Sequence, residues 1–261
     1  MLGWSINLFR IRGIQLAVHA SFFLLLAYAG WEGWRADHWP GLVWGSLTLV
    51  VFFVCVVLHE LGHSFVTLHY GIGVRRILLM PIGGMAEFDH IPREPHRELL
   101  MTIAGPAVNF VIAGLLWFVV RTFPDTIPVY SLRGLVSQVF WGNIAMGCFN
   151  LLPAFPMDGG RILRALLAMR LPYLRATFWA VQTGRVIAAA GLVLALLLPE
   201  LHWYPERLWL LAALFAFIIA VGEMEYRMTK RRELEDAHWR AVLLRLHGTP
   251  ATPEPPPLLT P

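Results

Sequence analysis

One apolar run, from about Leu42 to Leu68, constrains this chain more than any other feature. At about 27 residues it exceeds the roughly 20 that an α-helix needs to cross a hydrocarbon core, so it tilts or projects beyond the bilayer. The run carries His59-Glu60-Leu61-Gly62-His63. This spacing puts two imidazoles on one helix face, one turn apart, within reach of a single metal ion, with Glu60 beside them to hold a water. Ionisable groups in hydrocarbon are costly, and a cluster of them marks a functional site. The competing reading is a chance match in an ordinary core helix, and a second stretch far along the chain argues against it.

The remaining composition agrees with a membrane setting. Of 261 residues, 57% are hydrophobic and 15% charged, against about 25% charged in a soluble domain. Several long apolar runs make this a polytopic membrane protein. The net charge of +4 comes from arginines in loops, and no basic patch interleaved with aromatics points to nucleic acid. Cys55 and Cys148 both lie inside apolar runs and imply no disulfide framework. Cys55 shares a face with His59 and reads as a small buried hydrophobe rather than a ligand.

Taken in order, residues 1–13 are short and amphipathic, and Ile14 to Gly30 reads as a first spanning helix. Ala27-Tyr28-Ala29 mimics a signal-peptide cleavage site, but the further spans favour a retained helix. His19 reads as an interfacial or hydrogen-bonded histidine. Residues 31–41 form a tryptophan-rich loop of interfacial type, and the second span carries the histidine pair. Residues 71–92 are apolar but broken by glycines and Pro81. They read as two short strands around a turn, dipping into the membrane beside the histidines, with a plain re-entrant loop as the alternative. The third span runs from Leu99 to Val120 and contains Ala104-Gly105-Pro106, whose small residues permit close packing. Asn109 in the same span reads as a packing hydrogen bond rather than a catalytic group. A loop at 121–133 leads to the fourth span, Gly134 to Leu152, and the fifth and sixth cover Phe178 to Leu198 and Leu208 to Gly222. Residues 223–246 are charged and helix-prone, and Thr249 to Pro261 is proline-rich and expected to be disordered.

The expected architecture is therefore an all-α membrane protein of six transmembrane helices, with a membrane-associated β-hairpin between helices 2 and 3. Residues 1–226 form the transmembrane core, and 227–261 a charged helix and proline-rich tail. Counting basic residues places Arg10, Arg12, Arg75, Arg76, Arg93, Arg97, Arg161, Arg164, Arg170, Arg175, Arg227, Lys230, Arg231 and Arg232 on one side. Only Arg35, Arg121, Arg133 and Arg207 fall on the other. The positive-inside rule makes both termini cytoplasmic. The second and fourth spans then run inward, so His59, His63 and the end of the fourth span reach the same depth.

That end reads Asn150-Leu151-Leu152-Pro153-Ala154-Phe155-Pro156-Met157-Asp158-Gly159-Gly160-Arg161. Two prolines and two glycines unwind it. Alone, Asp158 reads equally as an N-cap of the next segment or as a ligand; beside the histidine helix it reads as a ligand. A catalytic zinc takes three protein ligands and a water. His59, His63 and Asp158 supply the three, for one Zn2+ per chain. Two histidines and a carboxylate suit zinc better than other divalent metals. Glu60 is the acid/base that handles the water proton, and Asn150 a donor to the developing oxyanion, with satisfaction of freed backbone as its alternative role. A helical substrate would have to unwind, and the strand edge at 72–88 would hold its extended form.

With these residues in this order, the chain resembles the site-2 protease family of intramembrane zinc metalloproteases. The resemblance rests on the two stretches above, on Gly83-Gly84, and on Ala104-Gly105-Pro106 through Asn109, and spans about residues 10–225. It implies zinc ligation by His59, His63 and Asp158, acid/base work by Glu60, and cleavage of transmembrane segments in membrane-tethered regulators. The arrangement is similar to the compact prokaryotic branch, which implies an inner-membrane location. No inserted peptide-binding domain fits between the third and fourth spans, and the tail is too short for paired nucleotide-sensing domains. A regulatory membrane partner or a second copy of the chain stays open beside the bilayer and the transmembrane substrate. A metal transporter would need a continuous polar path, and polar residues are few in the outer half of the spans. An inactive scaffold would have lost Glu60 or a ligand.

Overall fold

The structure is a computed structural model that describes residues 4–81, 83–90, 92–122, 131–197 and 205–246. Its elements in chain order are β1 (Ser5–Ile11), β2 (Ile14–His19), α1 (Ser21–His69), β3 (Val74–Met80), β4 (Gly83–Phe88), α2 (Pro95–Thr122), α3 (Leu132–Asn150), α4 (Asp158–Ala168), α5 (Tyr173–Leu197) and α6 (Pro205–Leu246). Among the described residues, four helices are long and apolar enough to cross a membrane: α1, α2, α5 and α6. Arg133, Gln138, Asn143 and Asn150 dilute the apolar character of α3.

The first expected span divides differently. Ile14–His19 is a strand and the helix begins only at Ser21. The reason lies in Arg12 and Gly13, both at positive φ, which make the tight turn that pairs β1 antiparallel to β2. The expected loop at 31–41 is also mostly helical. α1 leaves helical geometry only at Asp37 and His38, and Pro40 sits in the first turn of the second arm, where its missing N–H is harmless. The two arms fold back on each other, residues 21–36 against 39–69. Gly33 and Gly41 face each other so closely that a Cβ on either would overlap the other's carbonyl.

The expected hairpin is β3–β4, but it belongs to a four-stranded sheet of order β1-β2-β3-β4. The β2–β3 pair is parallel, with α1 as the crossover, and the outer pairs are antiparallel. The inner strands are buried, as parallel pairs are. Ile14, Leu16, Val18, Val74, Ile77 and Leu79 pack with Phe22, Phe53, Val56 and Leu61 of α1 into the main core. This core fixes the sheet against the turn of α1 that holds His59 and His63, and leaves β4 as the edge beside it.

α2 packs against α1, α3 and α4, α4 against α5, and α5 against α6. A buried ion cluster ties these helices together. Arg164 of α4 is 1% exposed. It donates through Nε and Nη2 to Glu98 Oε1 of α2 at 2.9 and 2.5 Å, and through Nη1 to Glu225 Oε1 of α6 at 2.5 Å. Its guanidinium lies over the Phe155 and Tyr173 rings. Because Phe155 belongs to the turn before Asp158, the cluster anchors that turn. α6 runs unbroken across residue 226, and Arg93 pairs with its Asp236 at 2.5 Å. The proline-rich stretch expected to be disordered lies outside the described residues, as does most of the loop expected at 121–133.

Candidate metal centre

Three elements meet at one point. His59 and His63 project from consecutive turns of α1, and Asp158 opens α4. Close approach of α2 to α1 depends on missing side chains. A Cβ at Gly62 would press on the Ala104 carbonyl, and one at Gly105 would overlap the imidazoles of His63 and His59. The turn before α4 is equally tight. A Cβ at Gly159 would overlap the carbonyls of Leu151 and Leu152, and one at Gly160 would press on the Ala154 backbone. Met157 is the N-cap of α4 and makes no side-chain cap bond. The Asp158 carboxylate is therefore not spent on capping and faces the histidines.

His59 Nε2 and His63 Nε2 lie 3.1 Å apart, and Asp158 Oδ2 is 3.2 and 3.3 Å from them. His63 Nδ1 is 2.8 Å from the Met101 backbone carbonyl, which can only accept, so Nδ1 carries the proton. His59 Nδ1 donates to Asn109 Oδ1 at 2.6 Å. Both Nε2 atoms therefore present lone pairs. Asp158 Oδ2 is buried and has no hydrogen-bond donor. Three Lewis bases facing one another in a buried site repel unless a cation lies among them. Donors 2.0–2.1 Å from a tetrahedral zinc stand about 3.3 Å from one another, which these separations match. The donor set fits zinc: two imidazole nitrogens and one carboxylate, with a fourth position left for water.

Glu60 sits beside the group, partly buried, against β4: a Cβ at Gly84 would press on the Glu60 side chain. Asn150 is the last residue of α3 and is partly buried. Its amide is not among the hydrogen bonds that hold the cluster. Asn109 makes the packing hydrogen bond expected of it, to Asn143 of α3, and a second one to the metal-ligand candidate His59. His19 is hydrogen-bonded, its Nδ1 2.7 Å from the Ser21 hydroxyl at the start of α1. Cys55 packs with Leu135 and Val139 as a buried hydrophobe. Asn143 escaped sequence reasoning. It sits 34 residues from Asn109 and accepts its amide proton from the facing helix, and its only signal is an amide in the apolar half of α3.

A model of peptidase family M50 matches residues 47–127 and 125–197. The chain belongs to this family. The matched M50 segment includes His59, Glu60, His63, Asn109, Asn150 and Asp158. Over 196 residues the chain is 43% identical to a zinc metalloprotease of Methanocaldococcus jannaschii, covering 75% of this chain and 55% of that protein. Over 138 residues it is 29% identical to stage IV sporulation protein FB of Bacillus subtilis, covering 52% of this chain and 46% of that protein. The chain thus spans about half the length of the curated relatives it matches. Its fold is similar to that of the site-2 protease from Methanocaldococcus jannaschii, with a TM-score of 0.59 and 36% identity, covering 85% of this chain and 95% of that one.

Proposed function

We propose that this M50 protein is an intramembrane zinc metalloprotease that hydrolyses peptide bonds in transmembrane segments of membrane-tethered proteins. One observation carries the reading: His59 Nε2, His63 Nε2 and Asp158 Oδ2 converge within 3.1–3.3 Å with both Nδ1 atoms committed elsewhere. His59, His63 and Asp158 would hold one zinc. When bound, zinc makes water acidic and polarises a carbonyl. Glu60 takes the proton of the attacking water as it adds to the scissile carbonyl, then passes it to the leaving amine. Asn150 would donate to the developing oxyanion, after a swing toward the cluster. β4, the open edge of the sheet beside Glu60, would pair with the substrate once its helix has unwound.

The same reading takes the two arms of α1, with α2, α3, α5 and α6, as six crossing segments of a multi-pass protein in a prokaryotic inner membrane. Both termini would be cytoplasmic, with residues 1–226 as the protease core and 227–261 as an extension. A regulatory membrane protein or a second copy of the chain would act through that extension.

The test is co-expression of a panel of single-span reporters with wild type or Glu60→Gln. A fragment cut inside the span by wild type alone is expected. Equal cutting by both would remove Glu60 from the mechanism.

A further inference from the structure

We infer that Asn143 is a positioning residue that sets, through Asn109, which ring nitrogen of His59 carries the proton. The inference rests on the metal reading of His59, His63 and Asp158, and concerns a residue that supplies no atom to the centre. Three hydrogen bonds run in series from α3 to α1. Asn143 Nδ2 donates to the Val139 carbonyl at 2.8 Å. A backbone carbonyl only accepts, so this end of the series has a fixed direction. Asn143 must then turn Oδ1 toward α2, where it accepts from Asn109 Nδ2 at 2.8 Å. The Asn109 Nδ2 also lies 3.5 Å from Met146 Sδ, a weak acceptor. Asn109 is left with Oδ1 toward His59, which it meets at 2.6 Å. His59 Nδ1 therefore holds the proton and Nε2 keeps its lone pair.

His63 reaches the same tautomer in one step, because its partner is itself a carbonyl, that of Met101. His59 cannot, because an amide turned over by half a rotation presents Nδ2 instead of Oδ1. A donor facing His59 Nδ1 would drive the proton to Nε2, the atom aimed at His63 and Asp158, and would remove a ligand. Asn143 is what makes that rotation costly. Turned over, Asn109 would aim its oxygen at the oxygen of Asn143, with both residues fully buried, and the pair would lose its hydrogen bond.

The experiment titrates Zn2+ against a chromophoric chelator with purified wild type, Asn143→Leu and Asn143→Asp, and records thermal unfolding of each zinc-free protein. A leucine at 143 neither donates nor accepts. A carboxyl there still accepts from Asn109 Nδ2 in either protonation state and keeps the relay's direction. Asn143→Leu is expected to bind Zn2+ about 10- to 100-fold more weakly, the usual cost of losing the support behind a metal ligand. Asn143→Asp is expected to stay near wild type in affinity even if it unfolds at lower temperature. Affinity that follows unfolding temperature across the three proteins, or an unchanged affinity in Asn143→Leu, overturns the inference. Imidazole 15N shifts of zinc-free protein give a second readout that needs no Asp variant. They should report Nδ1–H at His59 in wild type and Nε2–H in Asn143→Leu, and the same tautomer in both also overturns it. Wild type that binds no Zn2+ overturns the metal reading instead, while the 15N shifts still decide the tautomer.

Discussion

Two buried polar clusters tie α4 to its neighbours, one to α2 and α6 and the other to α1, and they are finished in opposite ways. At Arg164, opposite charges meet: one guanidinium donates to Glu98 and Glu225 and stacks on Phe155 and Tyr173. At His59, His63 and Asp158, only acceptors meet, and both ring N–H groups point away from the centre. The first cluster is held by its own partners, although Glu98 Oε2 is left without one. The second leaves buried Asp158 Oδ2 without a donor, as a group that could hold a metal ion would. The difference separates a cluster that builds the fold from one that the fold is built to present.

Breaking the self-sufficient cluster should cost the most stability. Arg164→Met leaves two carboxylates facing each other in the interior, and loss of one partner of a buried pair costs about 3–5 kcal/mol. Thermal unfolding in detergent should show a large drop. Next in size is the response to chelation. Removing a ligand present at about 100 times its Kd costs about 2.7 kcal/mol. Wild type should lose that much on chelation, read as a lower unfolding temperature, while His59→Ala should not respond. A third variant, Gly105→Ala, forces a methyl into the histidine rings. Overpacking of this kind costs about 1–3 kcal/mol, and the zinc stoichiometry of the variant should fall as well. The smallest change in stability is expected for Glu60→Gln, which removes no ligand. Its unfolding temperature and zinc content should match wild type while reporter cleavage falls by about 10²- to 10⁴-fold, the range for a general acid/base.

Much of the candidate metal centre was legible in the sequence because its signals are local. The four-residue step from His59 to His63 fixes a common helix face, and Pro153, Pro156, Gly159 and Gly160 announce the turn that frees Asp158. Gly83-Gly84 and Pro81 marked the β3–β4 turn. The strand β2 was hidden because Ile14–His19 runs directly into the apolar start of α1, and periodicity does not separate a short buried strand from the first turns of a helix. Residues whose meaning lies in distant partners were also hidden. Glu98, Arg164 and Glu225 look like three unrelated charges until the helices pack, and Asn143 acquires a role only when Asn109 stands opposite it.

The most direct test of the account is the zinc content of wild type and Asp158→Ala, purified side by side in one detergent and measured by elemental analysis. The account expects about one zinc per chain in wild type, as three protein ligands and a water require, and little in Asp158→Ala. Equal zinc in the two proteins, or none in wild type, would contradict it.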